Sequence, residues 1–226
     1  MRLILFDIDG TLVLTGGAGL RAMNRACADI TGSSSALDGI TVAGRTDWII
    51  LDDVLRKHGR ALDDALLAEL RQSYLQHLRE EILNPGRGIK APMPGVPALL
   101  DALSGRRDVA LALLTGNFAE GARVKLEHFD LWKYFACGAF GDDASDRNAL
   151  VPVAIRRARE TGLADVRPSD VIVVGDTPFD VACALAVGAV PVGVATGGFT
   201  VDQLRDSGAE FVFQDLSNAD AFLALL

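Results

Sequence analysis

The chain has 226 residues, half of them hydrophobic and 23% charged, so it is long enough to bury a large core and too apolar to be disordered. Its 22 basic and 30 acidic residues give a net charge of −8, which leaves no broad positive surface for a phosphate backbone and argues against nucleic acid as a principal partner. Cys27, Cys137 and Cys183 are too far apart for a CxxC metal motif or a disulfide framework and read as small buried residues in a reducing compartment.

In chain order, the first element is the apolar run RLILFDI (2–8), a buried strand that ends in Asp7 and Asp9 ahead of the turn signal Gly10-Thr11. Charge interrupts it at Asp7, too early for a signal-peptide core, and a cytoplasmic location is expected. Helical patterns follow over 19–30, 46–59 and 62–83, with leucines at three- and four-residue spacing. They lie between the glycine-rich TGGAG (15–19) and the Pro/Gly-rich NPGRGIKAPMPG (84–95), while GSSS (32–35) reads as a loop. An all-helical cap domain over 16–90, inserted after the first strand of a core made of 1–15 and 91–226, is the expected organisation, with Gly16, Gly17, Gly19, Gly86 and Gly88 as hinge residues.

Beyond the helices, VALALLT (109–115), the weaker ACGAFG (136–141), DVIVVGD (170–176), VPVGVAT (190–196) and EFVFQDL (210–216) alternate with helical patterns. That alternation predicts an α/β fold with a doubly wound, mainly parallel, Rossmann-like sheet, whose ligands bind at the carboxyl ends of the strands. The uncharged stretch 181–200 holds four glycines and Pro191, so it reads as a short helix (181–187), a stop at Gly188 and a strand (190–195), and no membrane span is expected.

Three strand ends carry chemistry. Asp7 and Asp9 fall on one side of the first strand if it continues through both, and two such carboxylates repel unless a cation or a shared proton relieves them. The second run ends TGN, where the Thr115 hydroxyl and the free N–H groups beyond Gly116 and Asn117 suit an anionic oxygen. The fourth ends GDTPFD, with Asp176 at its tip and Asp180 four residues on. Each could serve as a turn or helix cap, but three caps have no reason to deliver DxDGT, TGN and GDTPxD to one sheet edge. Together they make a hard-oxygen site suited to Mg²⁺, beside which an aspartate can attack phosphorus while a second acid protonates the leaving oxygen.

DIDGT, TGN and GDTPFD, in this order and with helices inserted after the first, resemble the haloacid dehalogenase-like hydrolase superfamily, in particular its phosphoglycolate phosphatase-like members with a helical cap. The resemblance covers essentially the whole chain. It implies Asp7 as nucleophile, Asp9 as general acid/base, Thr115 as phosphate-binding hydroxyl, and Mg²⁺ held by Asp7, Asp176 and the backbone carbonyl of Asp9, with Asp180 in support. The family's phosphate-neutralising lysine has no GKP here: its place reads DRNALVP, which puts Arg147 there, and Lys125 on the preceding helix is the other candidate. Lys and Arg are not interchangeable in such a role. Arg147 could instead pair with Asp143 or Asp146, and Lys125 could be solvated.

Asp9 turns the reading from dehalogenation, whose enzymes resemble a pattern lacking the second aspartate, towards phosphoryl transfer. Lys57, the cap lysine a phosphonate-cleaving relative would need, sits beside His58 at a helix end and reads as solvated. In the cap, AGRTD (43–47) makes Arg45 a candidate for gripping the leaving group, with Thr46 or Asp47 as helix cap. His58, His77 and His128 lack partners at ligand spacing, and Trp48 and Trp132 read as packing anchors. The expected function is Mg²⁺-dependent hydrolysis of a small phosphorylated metabolite, of phosphoglycolate or sugar-phosphate type, by a monomer or homodimer. A phosphosugar mutase of the same superfamily and a catalytically weak phosphate-binding protein are the alternatives.

Overall fold

Residues 1–162 and 166–226 are described by a computed structural model. In chain order its elements are β1 (Arg2–Phe6), β2 (Val13–Thr15), α1 (Ala18–Thr31), α2 (Asp47–Lys57), α3 (Asp64–Glu81), β3 (Lys90–Pro92), α4 (Val96–Ser104), β4 (Val109–Leu114), α5 (Ala119–Glu127), β5 (Cys137–Ala139), α6 (Leu150–Glu160), β6 (Val171–Gly175), α7 (Pro178–Val187), β7 (Val190–Val194), α8 (Val201–Asp206), β8 (Phe211–Phe213) and α9 (Ala219–Leu223). The sheet runs β5-β4-β1-β6-β7-β8, parallel throughout. β1 is central, and the chain builds outwards from it in both directions, which makes its carboxyl end a topological switch point.

Why β1 is apolar from Leu3 to Phe6 is visible in where its side chains go. Leu3, Ile4, Leu5 and Phe6 are all fully buried. Ile4 and Phe6 pack with Leu99, Leu103, Leu126 and Phe222 of α4, α5 and α9 on one face, whereas Leu3 and Leu5 pack with Val151, Ala154 and Ala184 of α6 and α7 on the other. A strand covered on both faces cannot alternate apolar with polar.

Helices α1–α3 enclose a separate apolar cluster, including Ala22, Ala26, Leu51, Leu55, Leu70, Tyr74 and Leu78, which Phe118 joins from the loop before α5. Thr46 caps α2 by accepting from Ile49 N–H at 3.3 Å, and Asp63 caps α3 by accepting from Leu66 N–H at 2.8 Å. The two chain crossings into this layer are the antiparallel ribbon β2–β3, with Leu14 opposite Ala91. The ribbon carries no sequence signal: each strand is three residues long and one holds Pro92. Around it Gly16 N–H donates to Ile89 O (2.8 Å), and Arg21 bonds both Gly16 O (2.6 Å) and the Glu81 carboxylate (2.7 Å).

The strands are shorter than their apolar runs. β1 stops at Phe6 instead of residue 8, and β4 and β6 stop at Leu114 and Gly175. The residues the pattern added, Asp7, Thr115 and Asp176, lie just past the last strand residues, where they are buried and line the cavity at the sheet edge. No described helix is long and apolar enough to cross a membrane. Cys27 and Cys183 are buried and Cys137 is half-buried, all as free thiols.

Candidate active site

The last ladder bond of β1 is Asp7 N–H to Val174 O at 3.0 Å, after which Leu12 and Val13 N–H both close on Ile8 O in a tight loop. Gly10 makes the loop possible: its φ is +86°, and a Cβ there would lie 2.5 Å from the Asp176 carboxylate. The loop sends Asp7 and Asp9 into one cavity of about 490 Å³, but into different surroundings. Asp7 is buried, whereas the Asp9 side chain is 44% exposed.

Asp7, Asp176 and Asp180 each bring a carboxylate oxygen within 4.8 Å of the others. Arg147, on the short helical turn before α6, donates to Asp180 and lies 3.0 Å from Asp7. It does not pair with Asp143 or Asp146: Asp143 is taken by Arg157 at 2.6 Å, and Asp146 caps Arg147's own turn. Burial disfavours its charge, but Asp180 and Asp7 outweigh burial and push the Arg147 pKa up. Its buried Nε makes no hydrogen bond among the described residues. Asp180 also accepts from Thr177 Oγ1 at 2.7 Å and Thr177 N–H at 3.0 Å, closing a capping box at the start of α7.

One guanidinium does not balance three carboxylates. Burial, then Asp180 and Asp7, push the Asp176 pKa up to about 8, and its polar contact is the Thr11 hydroxyl at 3.2 Å. No cation pairs with Asp176 among the described residues. Burial likewise pushes Asp7 up to about 6, with Arg147 pulling the other way. An all-oxygen donor set with surplus negative charge fits a hard divalent cation such as Mg²⁺.

Asp9 faces the other side of the cavity. Its carboxylate accepts from Lys125 Nζ at 2.6 Å and Asn117 Nδ2 at 2.8 Å, while Lys125 also donates to Asn117 Oδ1 at 2.6 Å. Lys125 is therefore buried in the site and not solvated. Thr115 Oγ1 accepts from Asn117 Nδ2 at 2.8 Å and Asn117 N–H at 3.3 Å, which leaves its own proton to donate to a bound oxygen. Neither Thr115 nor Asp176 caps a helix; Phe118 and Thr177 hold those positions.

Helices α1–α3 and their loops supply the opposite wall. Arg45 reaches the cavity lining, but its guanidinium bonds Asp53 on α2 at 2.5 Å and Thr41 O at 3.2 Å. The residues beside it are stitched to the sheet edge: Thr46 Oγ1 donates to Ser145 O (2.9 Å), Asp47 N–H to Gly116 O (2.8 Å), and Phe118 N–H to the Asp47 carboxylate (2.8 Å). Gly116 permits this approach, since a Cβ there would overlap Arg45 O. Asp47, read from the sequence only as a helix cap, is buried, and burial pushes it up to about 6 while Lys125 pulls it down. Nothing in its sequence context separates it from an ordinary first-turn acid. Lys57 bonds Asp38 O at 2.7 Å, His58 bonds Val54 O, His77 bonds Asp29, and His128 stacks edge-on with Phe129, so none joins the site. Trp132 stacks on Phe140, and Trp48 packs at the edge of the α1–α3 cluster.

Residues 1–188 match the haloacid dehalogenase-like hydrolase family. Among curated relatives, phosphoglycolate phosphatase of Agrobacterium fabrum is 27% identical over 95% of this chain and 89% of its own. Phosphoglycolate phosphatase of Rhodospirillum rubrum is 28% identical over 98% and 90%. Among solved structures, CbbY from Rhodobacter sphaeroides in complex with phosphate superposes with a TM-score of 0.72 at 19% identity, covering 96% of each chain. The central parallel sheet, the helices inserted after its first strand and the match over most of the length agree: the chain is an enzyme of the haloacid dehalogenase-like hydrolase family.

Proposed function

We propose that the protein is a Mg²⁺-dependent phosphatase that hydrolyses a small phosphomonoester through an aspartyl-phosphate, with residues 16–90 acting as a cap domain over the core. The observation that carries this reading is the convergence of Asp7, Asp9, Thr115 and Asp176 with two cations, Lys125 and Arg147, on one cavity at the switch point of the sheet. The names of the relatives from Agrobacterium fabrum and Rhodospirillum rubrum support phosphate ester hydrolysis.

Asp7 is the nucleophile. Arg147, 3.0 Å away, favours its charged form, partly offsetting the effect of burial, and orients it. Thr115 and the Gly116–Asn117 turn receive the phosphoryl oxygens, the Thr115 proton being free for that purpose. Lys125 places a positive charge between Asn117 and Asp9, where negative charge grows on the transferring group. Asp9 protonates the leaving oxygen and later takes a proton from the attacking water; its partial exposure gives that proton a way out. Asp7 and Asp176 would hold Mg²⁺ with the Asp9 carbonyl, and Asp180, committed to Arg147 and Thr177, would support them. When bound, the ion would neutralise the paired carboxylates and the phosphate.

Phosphate release from phosphoglycolate, sugar phosphates, nucleotides and 4-nitrophenyl phosphate, each with Mg²⁺ and with EDTA, tests the proposal. Release with Mg²⁺ that stops in EDTA is expected. Phosphate binding without release from any ester would instead make the protein a binding protein, and transfer to a sugar hydroxyl in preference to water would make it a mutase.

A further inference from the structure

We propose that the phosphoryl group this enzyme removes is esterified to an uncharged, apolar alcohol, and that the cavity wall formed by α1, α2 and β2 with the 37–42 loop is the pocket for that alcohol. The proposal rests on the phosphatase reading and adds the class of substrate to it. Six apolar side chains, Leu14, Leu20, Met23, Leu37, Val42 and Ile50, line the cavity opposite the aspartates. Leu20 is 51% exposed at its rim although the same helix buries Ala22, Met23 and Ala26 in the cluster behind it. Single exposed leucines are ordinary, but Leu20 continues an apolar lining of five other side chains around a cavity of about 490 Å³, and a contiguous apolar wall beside polar groups is what an apolar ligand contacts.

Charge on this wall points the same way. Three cations line the cavity among the described residues, and each is already engaged: Arg147 by Asp7 and Asp180, Lys125 by Asp9 and Asn117, Arg45 by Asp53. The first two serve the phosphoryl end. Arg45, the one cation on the helical side, is neutralised by its partner, and the Asp47 carboxylate adds negative charge at the seam. A carboxylate on the leaving group, as in phosphoglycolate, would be desolvated against apolar side chains with no free cation to receive it, which is costly. A sugar would bring several hydroxyls to a wall that offers few side-chain partners, the Tyr74 side chain being one polar group in the lining.

The decisive experiment compares kcat/KM for ethyl, propyl, butyl and hexyl phosphate with that for phosphoglycolate and phosphoethanolamine. Each added methylene up to butyl is expected to raise kcat/KM about threefold, and butyl phosphate should exceed phosphoglycolate by at least about tenfold. Binding is read separately by calorimetry on Asp7→Asn, with butylphosphonate expected to bind more tightly than phosphonoacetate. The rim variant Leu20→Arg, at an exposed position that does not endanger folding, should flatten the chain-length series and narrow or reverse the preference over phosphoglycolate. A flat series, or a preference for phosphoglycolate or phosphoethanolamine in the unmodified enzyme, overturns the apolar-alcohol proposal while leaving phosphatase activity standing. Release from none of the esters overturns the phosphatase reading, and the phosphonate comparison then still decides which chemistry the wall accepts: tighter phosphonoacetate sinks it.

Discussion

The two walls of the cavity solve opposite problems. The sheet-edge wall packs Asp7, Asp176 and Asp180 within 4.8 Å and accepts the repulsion, leaving Asp176 pushed up to about 8. The helical wall is mostly apolar, and its one cation, Arg45, is cancelled by Asp53 at 2.5 Å. The first wall is thus destabilised until a ligand supplies positive charge, whereas the second is content as folded and gains only from excluding water. Under the proposed function, charged chemistry falls to one wall and substrate fit to the other. Changes to the sheet-edge wall should act on kcat, and changes to the helical wall on KM.

The largest expected effect is that of Asp7→Asn, which removes the proposed nucleophile with little change in shape. kcat should fall on the order of 10⁴-fold, with phosphate analogues still bound; a loss below tenfold in a steady-state assay would remove Asp7 from that role. Next come the two cations, which differ in what they hold. Lys125 faces Asp9, whose side chain is 44% exposed, so in Lys125→Met water can solvate the abandoned carboxylate. Activity should drop about 10²–10³-fold with little change in melting temperature. Arg147 faces two buried carboxylates, so Arg147→Met should cost about 3–5 kcal/mol of stability, read by urea denaturation, beside its loss of activity. Equal stability losses in the two variants would show that burial does not separate their jobs.

These contrasts also show what was legible in the sequence. The sheet-edge wall could be read because DIDGT, TGN and GDTPFD each pack their functional atoms into a few consecutive residues at a strand end. Both cations were in view, but not their partners: Asp143 and Asp146 are near Arg147 in sequence, while Asp7 and Asp180 meet it only through the pairing of β1 with β6 and the packing of the Arg147 turn against α7. The helical wall was hidden for a different reason. Leu20 at the rim and Leu70 in the core of the helical layer both fall on amphipathic patterns, and periodicity cannot tell an apolar face turned to a ligand from one turned to a neighbouring helix. Asp47 was read as a first-turn acid because its bond to Phe118 N–H spans two regions far apart in the chain.

Asp47 sits where the walls join, and an intermediate effect is expected there. Asp47→Asn keeps the shape but weakens the charge-assisted bond to Phe118 N–H, which fixes the start of α5 and through it Lys125. kcat/KM should fall about tenfold. Because burial holds Asp47 at about 6, the deficit should be largest above that pH and shrink below it, where the wild-type side chain is also neutral. A deficit independent of pH between 5 and 8 would assign Asp47 a steric role only.

The smallest effect is thermal and tests the charge surplus of the sheet-edge wall without any substrate. Asp176 has an ordinary pKa of 3.8 and is pushed up to about 8 by burial and its neighbouring carboxylates. Its neutral form is therefore favoured in the folded chain. The associated stability is complete below the ordinary value and is lost as pH rises through about 8. In EDTA the melting temperature should fall by at least about 3 °C between pH 7 and pH 9. Mg²⁺, by favouring the ionised carboxylates, should recover more at pH 9 than at pH 7. In Asp176→Asn the carboxylate is gone, so the drop should flatten and most of the Mg²⁺ response should go with it. A wild-type protein whose melting temperature in EDTA stays level across this range would mean that Arg147 and Thr11 already balance Asp176, and that the two walls differ less in electrostatic strain than their compositions imply.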